Sequence, residues 1–248
     1  MSATLSQILS RRQWLGLLGV GAAAVLPGCG NAHTGHTVTV PSGDAFVTET
    51  ARPEIHDAEA ALQELKAGNQ RFADGMMRHP GDNPQRRHQV AASQRPYAVV
   101  LACSDSRLPP EMVFDQGLGD LFVIRVAGNI VDTAVLGSIQ YALEHLCTPL
   151  VMVLGHQNCG AVTATLETVR DKTEAPGDIE ALVDAIEPAI ALAEQRPGDL
   201  LDNTIRANAD RSRDAIAGAP ELQSALAKRA SRVVSAYYSL DSGVVSVT

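Results

Sequence analysis

The chain has no excess of positive charge. Its 20 Lys and Arg stand against 28 Asp and Glu, giving a net charge of −8 and a pI near 5.3. Neutralising a phosphate backbone requires a basic face, so this balance argues against a nucleic-acid partner and favours a small-molecule one. Cysteine is scarce as well. Cys29, Cys103, Cys147 and Cys159 are too few for the disulfide framework of a small secreted scaffold. Also missing is an apolar run of the ~20 residues that a helix needs to cross ~30 Å of hydrocarbon. The stretch Trp14 to Val25 is about a dozen residues long, too short to span. No internal repeat is visible. What is there, 248 residues at 45% hydrophobic and 19% charged, suits one sizeable core with appendages and not a disordered or membrane-embedded chain.

Residues 1–30 form the first appendage. Arg11 and Arg12 precede the apolar stretch, which ends in small residues, and this is the layout of an export signal. Ser10-Arg11-Arg12-Gln13-Trp14-Leu15 resembles the twin-arginine motif of bacterial signals, whose pathway carries folded proteins. Leu26-Pro27-Gly28-Cys29 resembles a lipobox, in which Cys29 would be lipidated and attach the mature chain to a membrane. The chain is therefore expected in the periplasm or on the outer face of the cell envelope. Residues 31–51 are small and polar without periodicity and read as a flexible linker, with His33 and His36 as solvated side chains.

The remaining residues, 52–248, read as one α/β domain. Glu54 to Phe72 has apolar residues at helical spacing and an acidic first turn, predicting an amphipathic helix. Residues 76–88 read as a loop leading into a short helix near Gln89 to Gln94. Three continuous apolar runs, Tyr97 to Ala102, Leu121 to Val126 and Leu150 to Leu154, alternate with helical segments. Such runs mark strands of a parallel sheet covered on both faces. Helices are expected near 131–146, 161–170, 179–194, 200–217 and 221–227. A closing strand pair follows, Arg232 to Leu240 and Val244 to Val247, turning on Asp-Ser-Gly.

Ligands bind beyond the carboxyl ends of parallel strands. Cys103 directly follows the first run, and His156 and Cys159 directly follow the third, so all three open at one edge. Two thiolates and an imidazole fill three corners of a zinc tetrahedron, and a free fourth corner distinguishes a catalytic site from a structural one. A thiolate opening a helix also gains from that helix's positive end. The alternative is a pair of buried cysteines acting as small hydrophobes. Asp105 and Arg107 lie two and four residues beyond Cys103, where an arginine fork can hold a carboxylate beside a metal. The same pair would serve equally to tie down a loop.

Three segments carry a family resemblance. CSDSR at 103–107, PEMVFDQGLGDLFVIRVAGN at 110–129 and PLVMVLGHQNCGAV at 149–162 closely resemble the β-class carbonic anhydrases, and the likeness runs from about Ala58 to the final strand pair. It implies a central, mostly parallel sheet flanked by helices, with an N-terminal helical arm that crosses to a partner in a homodimer or homotetramer. It further implies Zn2+ on Cys103, His156 and Cys159, and Asp105 with Arg107 as the catalytic dyad. Gln94 would hydrogen-bond substrate, while Phe122 and Tyr141 would line a small CO2 pocket, often across a dimer boundary. Without the resemblance, the two aromatics read as core packing. Val100 and Ala102 stand where the subgroup that closes its metal site at low pH has Trp and Gly, which places this chain with the open subgroup.

The implied reaction is reversible hydration of CO2 to bicarbonate and a proton, through a zinc-activated hydroxide. Two rivals share these ligands: hydrolysis of CS2 or COS, and non-catalytic zinc binding in the envelope. His79 and His88 are titratable but read as solvated loop residues. Cys147, just before the third strand, reads as a buried small side chain, though pairing with another cysteine would be open to it in an oxidising compartment.

Overall fold

A computed structural model describes residues 55–248 of the chain. The expected leader with Cys29, and the linker with His33 and His36, lie outside the described residues. Helix α1 (Ala58–Ala73) begins where the Asp57 carboxylate accepts the Ala60 N–H at 2.8 Å. Its buried stripe of Ala61, Leu62 and Leu65 joins Val113 and Phe114 in the chain's own core, so α1 packs on its own subunit. Helix α2 (Pro84–Val90) starts earlier than the sequence reading placed it. Asn83 caps it by accepting the Arg86 N–H, and Pro84 occupies the first turn, where a missing N–H costs nothing.

The sheet follows the apolar runs. Strands β1 (Ala98–Ala102), β2 (Leu121–Arg125), β3 (Leu150–His156) and β4 (Arg232–Tyr238) are mutually parallel, in the order β2-β1-β3-β4. Strand β5 (Val245–Val247) adds antiparallel to β4. Every residue of β1 and β3 is buried, because these central strands are covered on both faces. On one face Val100, Ala102, Met152 and Leu154 pack with Leu65, Phe114 and Ile186. On the other, Val99, Leu101, Val151 and Val153 pack with Val135, Ile139 and Leu143.

The covering helices are α3 (Pro110–Val113), α4 (Thr133–His145), α5 (Gly160–Asp171), α6 (Ile179–Ile186), α7 (Pro188–Ala193), α8 (Leu200–Gly218) and α9 (Gln223–Arg229). The single helix expected over 179–194 is two. Pro188 has no N–H to donate and its ring crowds the preceding turn, so the helix breaks there and restarts. No described helix is long and apolar enough to cross a membrane.

Candidate metal centre

The parallel pairing brings two strand ends together. Ala102 lies opposite Leu154, so Cys103, which follows β1, comes beside the Gly155-His156 end of β3, still paired with β4. Cys159 arrives after a two-residue turn as the N-cap of α5. Ligand atoms of Cys103, His156 and Cys159 lie within 4.8 Å of one another, and all three residues are at most 5% exposed. Both cysteines are free thiols, their sulfurs 4.0 Å apart, so the pairing that would destroy the site has not formed.

The sulfurs are held by polar groups before any ion is considered. The Gly128 N–H donates to Cys103 Sγ at 3.3 Å. That N–H points correctly only because Gly128 sits at φ +69°, in a 3-10 turn after β2, and a Cβ there would meet Ile186 at 2.7 Å. Helix α8 fixes the same turn: Asn208 donates to the Gly128 carbonyl at 2.7 Å and Ser212 to that of Asn129 at 3.0 Å. Donation from Cys159 lowers the Cys103 thiol well below the ordinary thiol range against its burial, with the Gly128 N–H contributing in the same direction. Cys159 is correspondingly pushed up, because it carries the proton the pair shares.

His156 is fully buried. Its Nδ1 lies 3.0 Å from the Gln157 carbonyl, and a carbonyl can only accept, so Nδ1 carries the proton and Nε2 bears the lone pair. Among the described residues no hydrogen-bond partner reaches Nε2. A buried lone pair without a partner is costly, and a cation satisfies it. Two cysteine sulfurs, that of Cys103 already stabilised by the Gly128 N–H, and one imidazole aimed by its second nitrogen fit zinc in chemistry and number.

Asp105 stands at the rim of this cluster. Arg107 grips it with Nε on Oδ1 at 2.9 Å and Nη2 on Oδ2 at 2.8 Å, while the Arg107 backbone N–H also donates to Oδ1. This fork holds the Asp105 carboxyl well below the usual carboxylate range. Its Oδ2 is 3.9 Å from His156 Nε2, and its side chain remains 16% exposed. The ionised carboxylate thus faces both the ligand cluster and solvent.

The other expected substrate residues lie elsewhere in the subunit. Gln94 is exposed in the segment leading into β1. That segment is on the opposite edge of the sheet, where the Pro96 carbonyl accepts from Thr148 and the Tyr97 N–H reaches Asp120. Phe122 pairs with Val99 near the start of β2, and its ring is 6.3 Å from that of half-exposed Tyr141 on α4. One subunit therefore gathers the expected metal ligands and the Asp105–Arg107 pair, and does not bring Gln94, Phe122 or Tyr141 to them.

Some site residues escaped the sequence reading. Arg125, closing β2, donates to the Cys103 carbonyl at 3.1 Å and to the Asp105 carbonyl at 2.6 Å. An arginine ending an otherwise apolar strand was the available signal. Asn208 and Ser212 gave none, being polar residues in an ordinary helical pattern.

Comparison with known proteins decides the relationship. The carbonic anhydrase family profile matches residues 98–245, from β1 to the start of β5. The chain belongs to the carbonic anhydrase family. It is 47% identical over 133 residues to carbonic anhydrase 2 of Mycobacterium tuberculosis, covering 54% of this chain and 64% of that protein. It is 50% identical over 134 residues to the carbonic anhydrase of Mycolicibacterium smegmatis, covering 54% and 65%. The aligned part thus spans just under two thirds of each relative's length. Among solved structures, the β-carbonic anhydrase CafA of Aspergillus fumigatus superposes with a TM-score of 0.60 at 22% identity, over 77% of this chain and 89% of that one. The β-carbonic anhydrase CcaA gives 0.60 at 25% identity, over 76% and 87%. The fold is that of the β class.

Proposed function

We propose that the protein is a zinc-dependent carbonic anhydrase that interconverts CO2 and bicarbonate. The observation that carries this reading is the partnerless, buried His156 Nε2, converging with two free thiols beside an ionised carboxylate clamped by an arginine. Cys103, His156 and Cys159 would hold the ion. Bound zinc acts as a Lewis acid that makes water nucleophilic near neutral pH.

The chain's own residues supply the rest. Asp105, ionised and therefore acceptor only, takes a hydrogen bond from a water at the open side of the cluster and turns that water's lone pair outward, towards CO2. Arg107 keeps both carboxylate oxygens in place and keeps them unprotonated. Because the fork occupies the carboxylate, Asp105 stays off the ligand cluster, which supports the open subgroup. The proton released on hydration leaves through the exposed rim.

Substrate contacts from Gln94, Phe122 and Tyr141 belong to the same proposal, with these groups supplied by a neighbouring subunit. Strand β2 supports such an assembly, because it is an edge strand whose Leu121 to Ile124 stay only half-buried, next to half-exposed Tyr141. A homodimer or homotetramer is the expected state, and light scattering on the purified protein reads it. Export by the twin-arginine signal to the periplasm or outer face of the envelope, with a lipid anchor on Cys29, completes the proposal. Twin-arginine export carries folded chains, so zinc would occupy both thiolates before they meet an oxidising compartment. Fractionation tests this, and mature protein confined to the cytoplasm would overturn it.

The deciding experiment is stopped-flow CO2 hydration across about pH 6.5 to 9, a range bracketing the near-neutral pKa of zinc-activated water, with zinc measured on the same sample. Turnover at close to one zinc per chain supports the reading. Full zinc without hydration, and hydrolysis of COS or CS2 instead, overturns the substrate assignment.

A further inference from the structure

His156 owes its orientation to a carbonyl, and that carbonyl has an unusual amount of support. Gln157 follows His156 immediately and ties the end of β3 to the turn between β4 and β5. Its backbone N–H donates to the Tyr238 carbonyl at 2.9 Å. Its side-chain Nε2 donates to Asp241 Oδ2 at 2.7 Å, while Oε1 accepts the Asp241 N–H at 3.1 Å and the Ser239 hydroxyl at 3.3 Å. One amide thus uses both ends on a turn 82 and 84 residues distant in sequence.

The turn it grips is itself anchored. The Ser239 N–H donates to the Val244 carbonyl and the Gly243 N–H to that of Ser239. Asn69, buried on α1, donates to the Gly243 carbonyl at 2.8 Å and accepts the Val245 N–H at 2.7 Å. Its Nδ2 also reaches the Val113 carbonyl at 3.1 Å, at the end of α3. The 239–245 turn is therefore pinned to the helical layer on one side and to Gln157 on the other. A two-ended side-chain grip on a fixed turn leaves the Gln157 peptide little freedom to rotate.

We propose that Gln157 is a positioning residue: its side-chain clasp on Ser239 and Asp241 fixes the carbonyl that takes the His156 Nδ1 proton, and so keeps Nε2 aimed at the cysteines. The proposal rests on the metal-site reading above. Partners that orient a metal-binding histidine typically change metal affinity by about 10- to 100-fold, and Gln157 acts one bond network further out, so the lower end applies.

The test uses the full-length protein labelled with 15N-histidine. NMR reads solvent exchange of the His156 Nδ1–H against that of the His156 backbone N–H in β3, since a general loss of stability would speed both and loss of the clasp only the first. Zinc retention against a competing chelator is measured in parallel. In Gln157→Ala the Nδ1–H should exchange about ten-fold faster, and zinc should be lost at about ten-fold lower chelator concentration. Asp241→Asn, which keeps an acceptor for Gln157 Nε2, should behave as the unaltered protein. If Gln157→Ala fails to fold by circular dichroism, Asp241→Ala, on an exposed turn, takes its place and should show the same two changes at smaller size. Unaltered exchange and retention in the folded variant overturn the proposal. Because the proton is read whether or not zinc is bound and no turnover enters, a protein that fails to hydrate CO2 sinks the functional reading and leaves this test standing.

Discussion

Two aspartates in this chain are each held by an arginine, and they do different things. Asp115, after α3, has a side chain with no exposure; Arg71 Nε bonds its Oδ2, and the backbone N–H groups of Arg78 and His79 reach its Oδ1 at 3.1 and 3.0 Å. Burial pushes its carboxyl up, but Arg71 and the two N–H groups outweigh this and leave it low. Asp105 is gripped from one side only, is partly wet, and turns Oδ2 towards the ligand cluster. The first carboxylate spends its acceptors on the fold, whereas the second keeps one in reserve. Pairing with arginine says little about role; the acceptors left over say more.

The comparison can be broken in order of expected effect. Cys159→Ser removes a ligand and should reduce bound zinc from near one per chain to near zero by elemental analysis, yet leave the Asp105–Arg107 fork in place. Asp115→Asn removes the buried carboxylate on Arg71 Nε, leaving that arginine its longer contact with Glu64 at 3.4 Å, and should cost about 3 kcal/mol, breaking a buried pair being a strong perturbation. Its melting temperature should fall by roughly 10 °C while zinc per folded chain is unchanged. Asp105→Asn should show the reverse: zinc and stability kept, CO2 hydration down about 100-fold. Full activity in that variant would remove Asp105 from the dyad.

The smallest effect concerns acid. Both aspartates have folded pKa values below the ordinary ~3.9, so their stabilising contribution is present above that value and is lost as pH falls through the folded ones. Denaturant titrations from about pH 5 down to 2 should therefore show a steeper loss in the unaltered protein than in Asp115→Asn, which has already lost that carboxylate.

Much of this was legible because the decisive signals are local. The runs AVVLA and LVMVL announce buried strands, and the donors follow them directly, so the edge on which the cluster forms could be named from the sequence. Boundaries failed where one residue outweighs a periodic pattern: Pro188 splits a helix that otherwise reads as continuous, and Asn83-Pro84 starts α2 within an apparent loop. The supports of the site were illegible for another reason. Arg125 reaches Cys103 across 22 residues, Asn208 reaches Gly128 across 80, and Gln157 meets Asp241 across 84. No short window contains both partners of such a bond.

The Gly128 turn is held by two side chains of α8, Asn208 and Ser212, and lies against the buried strands β1 and β3. Its N–H reaches Cys103 by virtue of sheet and helix packing alone. In small zinc modules the ion is the core and the chain collapses around it. Here the groups that hold Cys103 are fixed by sheet and helix packing, so stripping zinc with a chelator is expected to leave the far-ultraviolet circular dichroism of the chain unchanged.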